Sequence, residues 1–315
     1  MKKRCLYCYQ VVEGSNLDFH PLCSKKIFGQ SVAPELDFSE SDAEKLAATI
    51  IRSQSAVTGV QAKLSLVLDR KPSNAQPARF TIVGLWGAYI LKPPSVQYLE
   101  LPEVEDVTMH LAQIAKLKTV PHSLIRLQSG NLAYLTKRID RLDGLKIPME
   151  DMCQLTEKMT EHKYLGSYEL IAKTIRRYSA VAQYDVISFY ELVLFSFLTG
   201  NADMHLKNFS LYRASDAGYT LAPAYDLVAT ALVNPDDDED LALTLNGKKK
   251  KIRMSDFKAA FDAAQINDKQ QSNMFKKMVK AKPLWFDFID CSFLSAKNKE
   301  LFRGLIENRF KRLIN

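Results

Sequence analysis

The stretch Asp185–Thr199 constrains this chain more than any other. Val186, Ile187, Phe189, Leu192, Val193, Leu194, Phe195, Phe197 and Leu198 leave it apolar on every side. A helix of that kind has no face for water and must be enclosed by other elements. The run Gly200–Phe209 (GNADMHLKNF) follows at once, crowding Asp203, His205, Lys207 and Asn208 together. Polar side chains at the end of a buried helix cost stability unless something uses them, and a rigid core is what holds a reacting loop to tolerance. Asp203 and Asn208, with Asp226 downstream in APAYD, are the residue types that phosphoryl transfer needs. One carboxylate orients the attacking hydroxyl, while an amide and a second carboxylate hold Mg²⁺ against nucleotide phosphates. Loop capping is the plainer use of Asp203 and Asn208, since both types favour turns, but it would not also require Asp226.

With 315 residues, 47% hydrophobic and 25% charged, the chain has material for two lobes with real cores. The formal charge of +7 favours an anionic partner only weakly, because the excess lies in runs such as Lys248–Lys251 and Lys276–Lys282 that read as solvated faces. No apolar window approaches the roughly eighteen residues of a membrane span. The basic start, Met1–Cys5, lacks the apolar core of a leader peptide. Five cysteines, an odd number, do not form a disulfide framework. A cytoplasmic protein with no membrane partner is expected.

Three segments follow along the chain. Residues 1–30 form a head with Cys5-x2-Cys8 and His20-x2-Cys23, either a small zinc site built of ligands that tetrahedral Zn²⁺ prefers or a reduced cysteine pair beside a loop histidine. Residues 31–140 are strand-rich: an amphipathic helix over Ser39–Arg52, strands at Leu64–Leu68, Phe80–Val83, Tyr89–Lys92, Leu124–Leu127 and Leu132–Lys137, and a helix over Glu103–Lys118. Residues 141–315 are mainly helical, with periodic segments at 150–155, 167–176, 185–199, 255–264, 270–279 and 296–313, and a hairpin at 210–213 and 219–221. The expected class is α+β, a bilobal protein-kinase-like fold with a β-rich N-lobe and a helical C-lobe.

The strings TGVQAKLSLVL, YILKPP, TKRIDR, MEDMCQL, GNADMHLKNFSL and APAYDL, in that order over roughly residues 50–315, resemble the HipA-type Ser/Thr kinase toxins of bacterial toxin–antitoxin systems. The overall length is similar to the short HipT branch, in which a separate small protein (HipS-like) supplies the N-terminal subdomain. The resemblance implies an ATP- and Mg²⁺-dependent serine/threonine protein kinase. It makes Asp203 the catalytic aspartate, and Asn208 and Asp226 the Mg²⁺ ligands. His205 is a scaffold hydrogen-bonder or a base, and Lys207 reaches the transferred phosphate or is solvated. Lys92 becomes the ATP-phosphate lysine, paired with Glu105 or with one of its neighbours Glu100, Glu103 and Asp106. Gly59, Val60, Gln61 and Lys63 form the phosphate-covering loop. Lys137 and Ile139 form the adenine hinge, with Asp140 near the ribose.

Relatives autophosphorylate a serine within the three positions before that loop glycine. Here Ala56, Val57 and Thr58 stand there, so Ser53, Ser55 and Thr58 are the available acceptors. The resemblance further implies an aminoacyl-tRNA synthetase as protein substrate and an antitoxin as partner, with DNA reached only through a HipB-like protein. Glu150 and Asp151 read as lobe-packing or helix-start residues. Two other readings use the same residues: a small-molecule phosphotransferase of kinase-like fold, and a non-catalytic kinase-shaped regulator.

Overall fold

The computed structural model describes residues 3–14, 17–36, 63–69, 78–83, 87–142 and 145–314. The expected helix Ser39–Arg52 lies outside them. The chain divides into two compact units. One comprises Met1–Asp106, Val120–Gly144 and Cys291–Phe293; the other comprises Val107–Thr119, Leu145–Asp290 and Leu294–Asn315.

The first unit is built on a five-stranded antiparallel sheet of β1 (Leu64–Asp69), β2 (Arg79–Val83), β3 (Tyr89–Lys92), β4 (His122–Arg126) and β5 (Leu132–Lys137), in the order β2-β1-β3-β5-β4. Alternation sets its faces: Leu64 and Leu66 are fully buried, while Ser65 and Val67, which alternate with them, are half-buried. Lys92 ends β3 opposite Tyr134, so a one-residue slip would turn the lysine to the other face. Gly87 sets how closely the chain passes β1, since a Cβ there would lie 2.4 Å from Ser65 Oγ and 2.5 Å from the Leu66 carbonyl oxygen. The helix Pro21–Phe28 opens on its proline and closes at Gly29, φ 77°, as the preferences of those residues dictate. Edge-to-face rings run from Phe19 to Phe28, Phe80 and Tyr89, with centroids 5.2, 5.9 and 5.3 Å apart. They join this cysteine-bearing head to the sheet.

The helix Leu101–Ile114 ends well short of Lys118. Lys116 takes a left-handed φ of 60°, and the amides of Lys116 and Leu117 return to the Gln113 and Ala112 carbonyls at 2.9 and 3.0 Å. A left-handed lysine is uncommon, so nothing in the periodicity marks this stop.

The second unit encloses the apolar helix Ala182–Thr199. Its Phe189 packs on Phe209, Phe195 on Trp285 and Phe197 on Phe257, with centroids 5.0, 5.6 and 5.5 Å apart. The expected hairpin is present as Ser210–Tyr212 and Thr220–Leu221, joined on its other edge by Met149–Asp151. The segment 150–155 therefore begins as a strand, and only Met152–Leu155 is helical, because Asp151 closes a capping box with Gln154. Helix Asp268–Cys291 runs through Pro283, well beyond the expected 270–279. The basic run Lys248–Lys251 reaches nearby carboxylates while its side chains stay partly exposed: Lys249 reaches Glu239 at 3.4 Å, Lys250 reaches Asp238, and Lys248 reaches Asp256 at 2.8 Å. Among the described residues no helix is long and apolar enough to cross a membrane.

Candidate functional site

The buried helix ends in a Schellman-type turn. Gly200 adopts φ 69°, its amide returns to the Phe197 carbonyl at 3.3 Å, and that of Asn201 returns to Ser196 at 2.8 Å. The loop leaves from this fixed point. Asn201, fully buried, accepts the Asp203 amide on its side-chain oxygen at 3.1 Å, and Ala202 donates to Thr230 Oγ1 at 2.8 Å. Asp203 is thereby presented with its carboxylate 47% exposed. Tyr164 donates to Asp203 Oδ1 at 2.5 Å. Burial, then the carboxylate beside it, raise the phenol's pKa well above the ordinary range, so it remains a donor. The Leu206 amide, donating to the Lys163 carbonyl at 3.1 Å, ties Tyr164's segment to the loop.

Asn208 donates its Nδ2 to the Asp203 carbonyl at 2.8 Å. That bond locks the amide and makes its oxygen the end offered to a cation. The Asp226 segment is fastened to the same loop by its neighbour, because Tyr225 Oη lies 2.5 Å from Ser210 Oγ and donates to the Lys207 carbonyl at 3.1 Å. Asp226 itself has a left-handed φ of 55°, a conformation aspartate tolerates better than most residues. An amide oxygen and a carboxylate are hard donors of the kind Mg²⁺ selects, so these residues fit that ion.

His205 is buried against the edge of Tyr164, with ring centroids 5.0 Å apart. Burial, with Lys163 adding to it, outweighs the pull of Asp203 and depresses its pKa to about 4. The ring is neutral at physiological pH, so its 4.0 Å approach to Asp203 is not an ion pair there. This suits a scaffold residue better than a charged one. Lys207 is held by Asp151 Oδ2 at 2.8 Å, the same carboxylate that caps Met152–Leu155 through its other oxygen.

In the first unit, Lys92 Nζ contacts Glu105 Oε1 at 2.5 Å, with the two side chains 3% and 0% exposed. The lysine also lies 5.4 Å from the centre of the Tyr134 ring. Of the four acidic residues the sequence leaves open, Glu105 makes this pair. Asp106 is engaged by Tyr9 and His122, Glu103 has its pKa pushed up to about 7 by burial, and Glu100 stands at φ 56° just before the helix. Lys63 is exposed immediately before β1.

At the end of β5, the exposed Lys137 donates its amide to the Pro121 carbonyl at 2.8 Å, and half-buried Ile139 follows. Burial works against charge on Asp140, but Arg138 and then Arg141, at 2.7 and 2.5 Å, hold its pKa below the usual carboxylate value. Gly59, Val60, Gln61, Ser53, Ser55 and Thr58 lie outside the described residues. Cys5, Cys8, His20 and Cys23 do come together, with ligand atoms all within 4.8 Å of one another.

Sequence reasoning missed Tyr164, Tyr225 and the tie between Asp151 and Lys207. Tyr225 carried a usable signal, being adjacent to Asp226. Tyr164 meets Asp203 across 39 residues and Asp151 meets Lys207 across 56, and no local pattern marks such pairs.

The family model for the HipA-like C-terminal domain matches residues 55–285. The Sinorhizobium fredii protein Y4dM, which bears a kinase name, is 32% identical over 224 residues, or 67% of this chain and 53% of that protein. The Shewanella oneidensis serine/threonine-protein kinase toxin HipA is 26% identical over 219 residues, 61% of this chain and 46% of that one. The chain thus spans about half the length of these curated relatives. Among solved structures it is similar to Shewanella oneidensis HipA, solved with HipB and its operator DNA (TM-score 0.68, 19% identity, 82% of this chain and 65% of that one). It is also similar to the Helicobacter pylori proinflammatory kinase CtkA (TM-score 0.54, 17% identity, 79% and 93%). The α+β, kinase-like class expected from the sequence is the one these folds share. With the matched region covering most of its length, the chain belongs to the HipA-like C-terminal domain family.

Proposed function

We propose that this chain transfers the γ-phosphoryl group of ATP to a serine or threonine hydroxyl of a protein. The observation that carries this reading is the bond from Asn208 Nδ2 to the Asp203 carbonyl, which binds the base position and a metal-ligand position into one loop. In this mechanism Asp203 takes the acceptor proton as the new O–P bond forms and the bridging P–O bond to the leaving diphosphate breaks. Tyr164 holds the carboxylate in orientation. Asn208 and Asp226 would hold Mg²⁺, which neutralises phosphate charge when bound. The Lys92–Glu105 pair would serve the nucleotide phosphates, with Gly59, Val60, Gln61 and Lys63 covering them and Lys137, Ile139 and Asp140 on the adenosine side.

By likeness to its relatives, the substrate would be an aminoacyl-tRNA synthetase and the outcome arrest of translation in the cytoplasm. An antitoxin would be the partner, with a small HipS-like protein in a HipT-like organisation and DNA met only through a HipB-like protein. Ser53, Ser55 and Thr58 would be the self-phosphorylation positions. The test is transfer from labelled ATP to purified synthetases by the wild type, Asp203→Ala and Asp226→Ala. Label on one synthetase with wild type alone supports the reading; equal transfer by all three proteins removes it.

A further inference from the structure

Cys5 and Cys8 stand on a tight knuckle. The Tyr9 amide returns to the Cys5 carbonyl and the Cys5 amide to the Gln10 carbonyl, both at 2.9 Å, and Arg4 bridges Val11 across its base. His20 directly precedes the helix Pro21–Phe28, whose first turn carries Cys23. Knuckle and helix start thus aim three sulfurs and one ring nitrogen at a common point. His20 Nδ1 lies 3.4 Å from Cys8 Sγ and 3.8 Å from Cys23 Sγ.

A tetrahedral zinc with Zn–S near 2.3 Å and Zn–N near 2.05 Å places sulfur and nitrogen ligands about 3.6 Å apart, so the observed spacings bracket the ideal edge. The other ring nitrogen is committed: His20 Nε2 lies 3.0 Å from the Val11 carbonyl oxygen. An Nε2–H donated there leaves the Nδ1 lone pair for a metal, the second-shell arrangement that metal-binding histidines use. Cys5 is fully buried and Cys23 nearly so, which encloses the point on the protein side.

The knuckle also reaches the nucleotide-handling helix. Tyr9, at φ 62° between Cys8 and Gln10, is completely buried and donates to Asp106 Oδ2 at 2.6 Å. Asp106 is also engaged by His122 Nδ1 at 2.7 Å, and it immediately follows Glu105, the partner of Lys92. The Leu6 carbonyl, on the same knuckle, accepts from Ser123 Oγ at 3.1 Å and from the Leu124 amide at 3.3 Å. The head therefore touches both β4 and the helix turn that presents Glu105.

We propose that Cys5, Cys8, His20 and Cys23 bind one structural Zn²⁺, and that the ion holds the knuckle from which Tyr9 fixes Asp106 and, beside it, Glu105. Binding releases the three thiol protons and leaves the imidazole neutral. The ion takes no part in phosphoryl transfer.

Protein purified in reductant without chelator should carry about one zinc per chain. Cys5→Ser and Cys23→Ser should each lower that content at least about tenfold. Those variants could lose metal by failing to fold, so chelator-stripped wild type is titrated with Co²⁺, which should give the visible absorption of tetrahedral thiolate cobalt at one equivalent. Less than about a tenth of an equivalent of zinc in wild type, together with no cobalt band, overturns the site. Tyr9→Phe tests the fastening role: zinc content should stay whole while the thermal midpoint falls and ATP analogue affinity drops severalfold. A Tyr9→Phe protein matching wild type in both midpoint and affinity removes that role. The affinity measurement rests on the nucleotide-binding reading of Lys92; the metal measurements do not, so the two readings fail separately.

Discussion

Tyr164 donates its phenolic hydrogen to Asp203 Oδ1 across 2.5 Å, and the bond joins a surface turn to the loop that follows the buried helix. The carboxylate has Oδ1 held while the side chain stays about half exposed. A hydrogen bond to a charged group contributes about 1.5–3 kcal/mol, so Tyr164→Phe should lower kcat by roughly one to two orders of magnitude. KM for ATP should barely move, because the phenol touches Asp203, the base of the proposed mechanism, and none of the residues proposed to hold the nucleotide. Unchanged kcat with intact folding would show that Asp203 needs no such support.

Lys92 and Glu105 are both withdrawn from water. Removing one member of a buried pair costs about 3–5 kcal/mol, since the other is stranded, whereas replacing both is far cheaper. Lys92→Met should therefore lower the urea midpoint markedly, and Lys92→Met with Glu105→Leu should recover much of the loss without restoring the nucleotide binding proposed for Lys92. A single variant as stable as wild type would place the pair in water.

His205 gives stability a pH limb of known sign. Its folded pKa is about 4 against an ordinary value of 6.5, so the unfolded chain takes up a proton first as pH falls. The neutral, buried ring contributes fully above about pH 6.5. That contribution is lost on descent to about pH 4, roughly 3 kcal/mol over the window. Urea midpoints at pH 7 and pH 5 should diverge in wild type and converge in His205→Gln. Parallel midpoints in the two proteins would assign the acid limb to other groups.

Gly200→Ala should be costly for two separable reasons. The left-handed backbone opposes a side chain by about 1–2 kcal/mol, and the new Cβ would sit 2.7 Å from Leu305 Cδ2. Adding Leu305→Ala should relieve only the second part, so a double-mutant cycle read by urea unfolding should show positive coupling. Strict additivity would mean that the clash is absorbed elsewhere.

Much of this was legible in the chain because the signals were local. Alternation at Leu64, Ser65 and Leu66 gave a strand, the predominantly apolar run from Val186 to Leu198 gave a buried helix, and the crowding of Asp203 and Asn208 marked the loop after it. The rest depended on distance or on backbone conformation. Tyr164, Tyr225 and Asp151 act across the chain. Lys116 ends a helix in a conformation lysine seldom adopts, and Asp151 turns an expected helix start into the end of a strand. The choice among Glu100, Glu103, Glu105 and Asp106 needed the start and rotation of the helix, which spacings of three, two and one residues do not reveal.

The left-handed backbone at Asp226 narrows what this position can become. Glycine and asparagine share aspartate's tolerance for that conformation, yet neither supplies an anionic oxygen, while glutamate keeps the charge and loses the tolerance. Shape and chemistry together leave aspartate without a neutral drift partner. If the proposed phosphoryl transfer holds, a descendant of this chain released from it would be expected to show it first here, as asparagine or glycine at 226, with the surrounding fold undisturbed.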